Sequence, residues 1–147
     1  MTRAQCIIVR NSKILMVKHR LDGMEWWCLP GGGVEENEPP EQAAIRELRE
    51  ECGVEGRIER LTSIQEYPDN DRAITFLVDI GGQEPVLGND PEFSGDDQVL
   101  SAVEWLSLAE IPERDRAFLW AAGLLGVGDF VDEVERWGND TSYPSRV

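Results

Sequence analysis

The chain has 147 residues, which suits one compact domain, and 41% of them are hydrophobic, which is enough for a core. Its formal net charge at pH 7 is −15. Because so acidic a surface repels a phosphate backbone, we do not expect binding to a nucleic-acid duplex. The sequence shows neither a signal-peptide pattern nor an apolar run long enough to span a bilayer, so we expect a cytoplasmic protein without a membrane partner.

The cysteines, Cys6, Cys28 and Cys52, are scattered and odd in number. No pair has the Cys-x-x-Cys spacing of a zinc site, and the pattern is not that of a disulfide framework. We therefore interpret them as ordinary half-buried residues.

The predicted elements begin with strands. Apolar runs at 6–10 and 14–17 flank the turn Asn11-Ser12-Lys13, so we expect a hairpin. Residues 25–29 form a third predicted strand, which ends at Pro30-Gly31-Gly32-Gly33.

A helix is predicted next, over 40–52. Pro39 and Pro40 suit its first turn, because the amide that proline lacks has no helical partner there. Apolar residues recur at helical spacing along it, and Gly53 is a natural C-terminal cap.

The second half of the chain continues the alternation of strands and helices, which indicates a sheet covered by helices. The predicted segments are strands at 57–67, 73–80 and 99–106, a polar loop at 81–97, and helices at 113–125 and 130–137. We predict a single domain over 1–137 and a flexible tail over 138–147.

Three glutamates on the first predicted helix, Glu47, Glu50 and Glu51, lie at positions i, i+3 and i+4. They share a sector roughly 100° wide, where like charges repel one another. A solvated acidic face is one explanation, with Arg46 and Arg49 in partial compensation. A hard divalent cation such as Mg²⁺ is the other, because it prefers carboxylate oxygens.

The residues upstream of this helix complete a known signature. The pattern G-x5-E-x7-R-E-U-x-E-E-x-G-U, where U is a bulky aliphatic residue, is the box of the Nudix hydrolases. Every fixed position is filled, by Gly32, Glu38, Arg46, Glu47, Leu48, Glu50, Glu51, Gly53 and Val54. The chain therefore resembles a single-domain, MutT-like Nudix hydrolase. One departure from common family usage is Asn37, where glycine is frequent, but asparagine tolerates the left-handed conformation.

The resemblance implies an α/β fold, an α/β/α sandwich with a mixed sheet flanked by helices. It also implies that Glu47, Glu50 and Glu51 hold a catalytic Mg²⁺ or Mn²⁺, that Glu38 supports the site, and that Arg46 orients a glutamate through an ion pair. The implied reaction is attack of water on phosphorus in a diphosphate. Glu47 or Glu50 is a candidate base. Asp96, Asp97 and Glu92 in the polar loop are further candidates, for which plain loop polarity is the alternative, and Asp97 is also a candidate fourth metal ligand.

The substrate class implied by the family is a nucleoside diphosphate linked to another group. A nucleoside triphosphate is our first expectation and a sugar-nucleotide our second. We place substrate contacts at Gly31, Gly32 and Gly33. Arg20 is a further candidate, for which a surface ion pair is the alternative. Lys18 and Arg3 are weaker candidates of the same kind. Trp26, Trp27 and Tyr67 are candidates for stacking a base, and core packing is the alternative.

Two other functions are compatible with the fold. A non-catalytic Nudix-like module that senses nucleotides or docks on a partner would usually carry a degraded box, which this chain does not. An isomerase of prenyl diphosphates would use a cysteine near Cys28, but nothing else supports it. A homodimer through the apolar region of Phe118, Trp120 and Phe130 stays open, and covering the sheet is the simpler use of those residues.

Overall fold

The structure is a computed structural model that describes residues 1–88 and 99–132. Its strands are β1 (Thr2–Ile7), β2 (Val9–Arg10), β3 (Lys13–Leu21), β4 (Met24–Cys28), β5 (Gly31–Gly33), β6 (Arg57–Glu66), β7 (Arg72–Asp79) and β8 (Val99–Leu106). Its α-helices are α1 (Pro40–Cys52) and α2 (Glu113–Ala121). Neither of these helices has the length and apolar character needed to cross a membrane, in the part of the chain that the structure describes.

One sheet has the strand order β5-β1-β7-β6. β1 lies between an antiparallel neighbour, β5, and a parallel neighbour, β7, so that the sheet is mixed. Ala4 of β1 lies opposite Gly32 on one side and Ile74 on the other. This register brings the glycine strand beside the centre of the sheet.

The second sheet is built around β3. β8 pairs with β3 from Ile14 to Arg20, whereas β2 and β4 pair with its two ends. Because β8 takes one edge of β3 along most of its length, β2 and β4 share the opposite edge.

The predicted first hairpin is correct only in part. β2 pairs with β3 through Val9 and Ile14, but β1 belongs to the other sheet, and the chain passes from one sheet to the other at Ile8. Cys6, Ile7 and Ile8 are all buried. A strand that is buried on both faces suits the middle of a mixed sheet better than the half-exposed arm of a hairpin.

The helix α1 has the predicted bounds. Pro40 occupies its first turn, and Gly53 caps its end in the left-handed region, with φ 67°. Ala43, Ala44, Leu48 and Cys52 are buried in a cluster with Ile74 and Phe76 of β7 and with other strand residues. The predicted apolar stripe therefore anchors α1 to the sheet.

The helix α2 covers the other side of the strands. Leu119 of α2 packs in a second cluster with Ile7 and Met16, whereas their neighbours along the strands, Cys6 and Leu15, lie in the cluster of α1. Alternate side chains of β1 and β3 thus pack against α1 on one side and α2 on the other. The predicted α/β class with flanking helices is confirmed.

The end of α2 differs from its predicted position at residue 125. The helix stops at Ala121, because Gly123 adopts φ 94°, and 3-10 turns follow at Leu124–Gly126 and Gly128–Phe130. The further helix predicted over 130–137 lies mostly outside the described residues, as does the predicted tail over 138–147.

Candidate active site

The three glutamates of α1 differ in exposure. The side chains of Glu47 and Glu51 are 0% exposed, whereas that of Glu50 is 28% exposed. Fully buried ionisable side chains are rare unless they have partners or bind a ligand. A solvated acidic face therefore does not describe this helix, because two of the three carboxylates face inward.

The glycine strand β5 receives these carboxylates. The amide of Gly31 donates a hydrogen bond of 2.7 Å to Oε1 of Glu51. A Cβ atom at Gly32 would collide with the carboxylate of Glu47. The three glycines were expected only to end the preceding strand, but they form a short strand of their own in which Gly31 and Gly32 are buried. Glycine is needed at Gly32 because the carboxylate of Glu47 fills the space where a side chain would be.

Arg46 connects the glutamates to one another. Its Nε donates to Oε2 of Glu38 over 2.9 Å, and its Nη2 donates to the carbonyl oxygen of Gly33 over 2.9 Å. Its Nη1 donates to Oε1 of Glu47 over 3.0 Å and to Oε2 of Glu50 over 3.4 Å. The carboxylates of Glu38 and Glu47 raise the pKa of Arg46, with the hydrogen bond to Glu38 as the largest cause. One guanidinium therefore links the loop, the glycine strand and α1.

Glu38 holds the loop that precedes the helix. Its Oε1 accepts a hydrogen bond from the amide of Glu35, and its own amide donates to the carbonyl oxygen of Glu35. The hydrogen bond from Arg46 is the main cause that lowers the pKa of Glu38. Asn37 has φ 65°, so the expectation that it tolerates the left-handed region is confirmed.

His19 lies closer to these glutamates than the sequence indicates. Its side chain is buried, stacks on Trp26 with 5.7 Å between ring centroids, and places Nε2 4.0 Å from Oε2 of Glu51. Burial, together with the positive charge of Arg3, lowers the pKa of His19 to about 4. The sequence carries no signal for this placement, because a single histidine on a strand has no motif.

A cavity of about 670 Å³ opens beside this site. Its lining includes the aromatic residues Trp26, Trp27, Tyr67 and Phe118. His19 also lines it, so the cavity reaches the neighbourhood of Glu51. Its volume lies in the range that is usual for small-molecule sites.

One carboxylate of this cavity has structural partners. Asp115 of α2 is buried. Its carboxylate accepts a 2.9 Å hydrogen bond from the amide of Trp27 and a second hydrogen bond from Arg114. Asp115 thereby ties α2 to the edge strand β4. Sequence analysis gave no indication of this contact, because nothing along the chain connects residues 88 positions apart.

The basic residues near the cavity are of three kinds. Arg20 is exposed, and Lys18 pairs with Glu25 and lies over the ring of Trp27. Arg3 lines the cavity, lies opposite Gly33 in the sheet, and makes no ion pair with any residue that the structure describes. Arg3 is thus better placed than Arg20 to meet an anionic group inside the cavity.

The described side chains that could bind a metal ion do not form a complete coordination site. Among residues 1–88 and 99–132, no three His, Cys, Asp or Glu side chains converge as a bound ion would require. Nη1 of Arg46 contacts both Glu47 and Glu50. The other candidates for metal or proton transfer, Glu92, Asp96 and Asp97, lie outside the described residues.

Solved structures with the same fold include a MutT NUDIX hydrolase from Burkholderia pseudomallei. It is 28% identical, with a TM-score of 0.62 over 76% of this chain and 85% of that one. A structure of a NUDIX hydrolase from Nitrosomonas europaea, 21% identical, shares the fold with a TM-score of 0.61 over 98% of this chain and 74% of that one.

Curated relatives match the chain over shorter stretches. An ADP-ribose pyrophosphatase from Methanocaldococcus jannaschii is 34% identical over 90 residues, which are 57% of this chain and 53% of that protein. Human diphosphoinositol polyphosphate phosphohydrolase 2 is 39% identical over 71 residues, which are 46% of this chain and 38% of that protein. The chain thus matches about half or less of the length of these relatives.

One protein-family model matches most of the chain. The sequence model of the NUDIX domain matches residues 1–125, which include α1, the glycine strand, Glu38 and most of the cavity. With the fold and the glutamate cluster described above, this match shows that the chain belongs to the NUDIX family.

Proposed function

We propose that this protein hydrolyses the diphosphate bond of a nucleoside diphosphate derivative with the help of a divalent cation. The observation that carries the proposal is the cluster of Glu47, Glu50 and Glu51 on α1, in which Glu51 lies 4.0 Å from His19. His19 in turn lines a cavity of about 670 Å³ that has aromatic walls. The carboxylates can bind the cation that accompanies the reacting phosphates, and the cavity can hold the organic part of the substrate.

The chemical type of the donors, carboxylate oxygen, suits Mg²⁺ or Mn²⁺, which members of this family generally use. Glu47, Glu50 and Glu51 supply hard carboxylate oxygens, and β5 leaves no side chain between itself and Glu47, since a Cβ at Gly32 would fill that place. These three glutamates would hold the cation. When bound, it would neutralise charge on the diphosphate and make water a better nucleophile at neutral pH.

The protein's own side chains would then orient the reactants. Arg46 fixes the carboxylates of Glu38 and Glu47 through hydrogen bonds of 2.9 and 3.0 Å, so they do not need to reorganise during the reaction. Glu50 is the most exposed of the three glutamates of α1. Of the three it is the most accessible to water, so it would be the first candidate for the base if it did not bind the cation.

The cavity supports a substrate with an aromatic part. Trp26 and Tyr67 offer ring faces on which a nucleobase can stack, and Arg3 adds a positive charge to the cavity wall. These features favour a nucleoside diphosphate linked to a second group, the kind of substrate for which the Methanocaldococcus jannaschii relative is named.

A heavily phosphorylated inositol fits this cavity less well. Such a substrate needs several cations around it, but among described residues the cavity wall contains only two arginines. One of them, Arg114, already bonds with Asp115. The name of the human relative is therefore a weaker guide to this chain.

The decisive test of the reaction replaces a proposed metal ligand. We expect Glu50→Gln to reduce Mg²⁺-dependent turnover by more than about 100-fold, which exceeds the usual effect of an outer-shell partner. Glu41→Gln is a matched control, because Glu41 is exposed on the first turn of the same helix. Full activity of Glu50→Gln would refute the assignment of the site.

The substrate class needs a separate screen. The purified protein with Mg²⁺ is incubated with nucleoside triphosphates, ADP-ribose, sugar-nucleotides and an inositol pyrophosphate, and phosphate and pyrophosphate are measured. We expect turnover of at least one nucleotide and none of the inositol compound. An absence of turnover on the whole panel would favour the non-catalytic binding module.

A further inference from the structure

The segment 81–88, which we call the strap, crosses the C-terminal end of α1. The amide of Val86 donates a 2.9 Å hydrogen bond to the carbonyl oxygen of Cys52. The amide of Gly88 donates a 2.8 Å hydrogen bond to the carbonyl oxygen of Glu51. The last carbonyl groups of a helix have no partner within the helix, so the strap satisfies groups that would otherwise need water.

Gly88 lets the strap approach α1 so closely. A Cβ atom at this position would overlap the carbonyl oxygen of Glu50 and lie 3.3 Å from the carbonyl carbon of Glu51. Both obstacles are backbone atoms, so they cannot move aside as a flexible side chain can. Any larger residue must therefore displace either the strap or the turn of helix that bears the two glutamates.

The other end of the strap is also fixed. Nη2 of Arg10 donates 2.8 Å hydrogen bonds to the carbonyl oxygens of Gly81 and Gln83, and the guanidinium lies 4.6 Å from the ring centroid of Trp105. The side-chain amide of Gln83 exchanges hydrogen bonds of 2.9 and 2.7 Å with the backbone of Glu55. The strap is thus held from the second sheet as well as from α1.

We propose that the strap positions Glu50 and Glu51 for catalysis and that Gly88 is the positioning residue that allows it to close on α1. The proposal rests on the proposed function, because it assumes that these glutamates hold the cation. The backbone of both residues lies under the strap, while the side chains are held from the other direction, by Gly31 and Arg46. The two sets of contacts together fix where the carboxylates lie.

The experiment compares two glycines of the same segment. Gly88→Ala introduces the overlap, whereas Gly82→Ala does not, because a Cβ at Gly82 meets nothing within 4 Å. For each variant, kcat and KM are measured with the best nucleotide, and the Kd for Mn²⁺ is measured by electron paramagnetic resonance without substrate. Circular dichroism establishes the folded fraction at the assay temperature.

We expect Gly88→Ala to lower kcat by roughly 100-fold, the effect of a small misplacement of catalytic groups. We expect it to weaken Mn²⁺ binding about 10-fold, as loss of an outer-shell contact does. KM should change little, because the strap contributes no residue to the cavity lining. Gly82→Ala should match the wild type in all three quantities.

A second variant keeps the test decisive if Gly88→Ala does not fold. Arg10→Gln removes two of the hydrogen bonds that hold the far end of the strap and causes no steric overlap, so we expect a weaker Mn²⁺ affinity and a lower kcat. Wild-type Mn²⁺ affinity and kcat per folded molecule in either variant would overturn the positioning role while leaving an inactive Glu50→Gln, and hence the proposed function, intact. Full activity of Glu50→Gln would overturn both.

Discussion

At the scale of single residues, Arg46 has the most varied contacts in the site. It donates hydrogen bonds to three glutamates and to the carbonyl oxygen of Gly33, in a chain whose net charge is −15. Lysine could not reproduce this pattern, because it carries one compact charged group whereas arginine has a planar fork of donors. The requirement for arginine in the sequence signature thus has a direct geometric reason in this protein.

The bond between Arg46 and Glu38 makes stability depend on pH. Arg46 lowers the pKa of Glu38 below its ordinary value of 4.5, so the folded protein binds this proton less readily than the unfolded chain does. The resulting stabilisation is complete above pH 4.5 and is lost as the pH falls through the lower pKa of the folded state. Urea unfolding over this acidic range should show the free energy of unfolding decrease.

The matched variants for this prediction are Glu38→Gln and Glu41→Gln. Glu38→Gln should be less stable than the wild type at neutral pH and should lose less stability on acidification. Glu41→Gln, at an exposed position on α1, should retain the wild-type pH dependence. Equal slopes for the wild type and Glu38→Gln would contradict the proposed origin of the effect.

At the scale of elements, α1 is the best-determined part of the fold. Its start at Pro40 and its end at Cys52 follow from local signals, namely proline in the first turn and glycine after the last. β5 is the opposite case, because three consecutive glycines have a low strand propensity and form a strand only through pairing with β1. The bounds of the helix α1 therefore follow from local sequence signals, whereas the strand β5 forms because of its tertiary contact with β1.

The cap of α1 provides a test at this scale. We expect Gly53→Ala to lower the free energy of unfolding by about 1–2 kcal/mol, because the left-handed conformation brings a Cβ atom close to the following carbonyl oxygen. Gly53 has φ 67°, and an added Cβ would also lie 3.0 Å from a methyl group of Val86 on the strap. Thermal or urea unfolding measures the effect.

Gly126→Ala is the control for Gly53→Ala. Gly126 needs no left-handed φ, and a Cβ there meets nothing within 4 Å, so its substitution should be nearly neutral. If the two variants were equally stable, the cap would not contribute in the way the geometry indicates.

At the scale of the whole molecule, the core continues past the end of the family match. Phe130 lies beyond residue 125, yet its side chain is 0% exposed and packs in the cluster of Leu119 and Ile7. We infer that the domain includes at least residues 126–132. This position also makes Phe130 unsuitable for an interface between copies, whereas Phe118 is 64% exposed and remains a candidate.

Truncation of Phe130 tests this extension of the domain. We expect Phe130→Ala to lower the free energy of unfolding by about 3–5 kcal/mol, the usual range for a fully buried phenylalanine. Phe118→Ala should cost less than about 1 kcal/mol, since its side chain is largely exposed. Urea unfolding of both variants gives the comparison, and a neutral Phe130→Ala would place the domain boundary near residue 125.

Much of the fold was predictable where the pattern is local. The strands at 57–66 and 99–106 and the helix α1 follow from turn residues and periodicity close to their predicted bounds. The partners of β1 were not predictable, since its parallel neighbour β7 lies about 70 positions later in the chain. Pairing between strands so far apart in the chain has no local sequence signal, because it depends on the closing of a long loop.

The candidate site divides in the same way. The spacing of residues along the chain was enough to identify the box, from Gly32 to Val54, and to predict three glutamates on one side of α1. Spacing along a helix is a local property, so the pattern sufficed for that.

The positions of those glutamates in the folded protein could not be predicted from the spacing and are known from the structure. It buries Glu47 and Glu51 against β5, gathers Glu38 and Glu50 at Arg46, and sets His19 and the aromatic cavity beside them. The physical reason is that burial, ion pairing and cavity shape depend on which strands and helices pack together. The sequence signature therefore predicted cleavage of a diphosphate bond. The evidence about the class of substrate comes from the cavity, which forms where distant elements pack together.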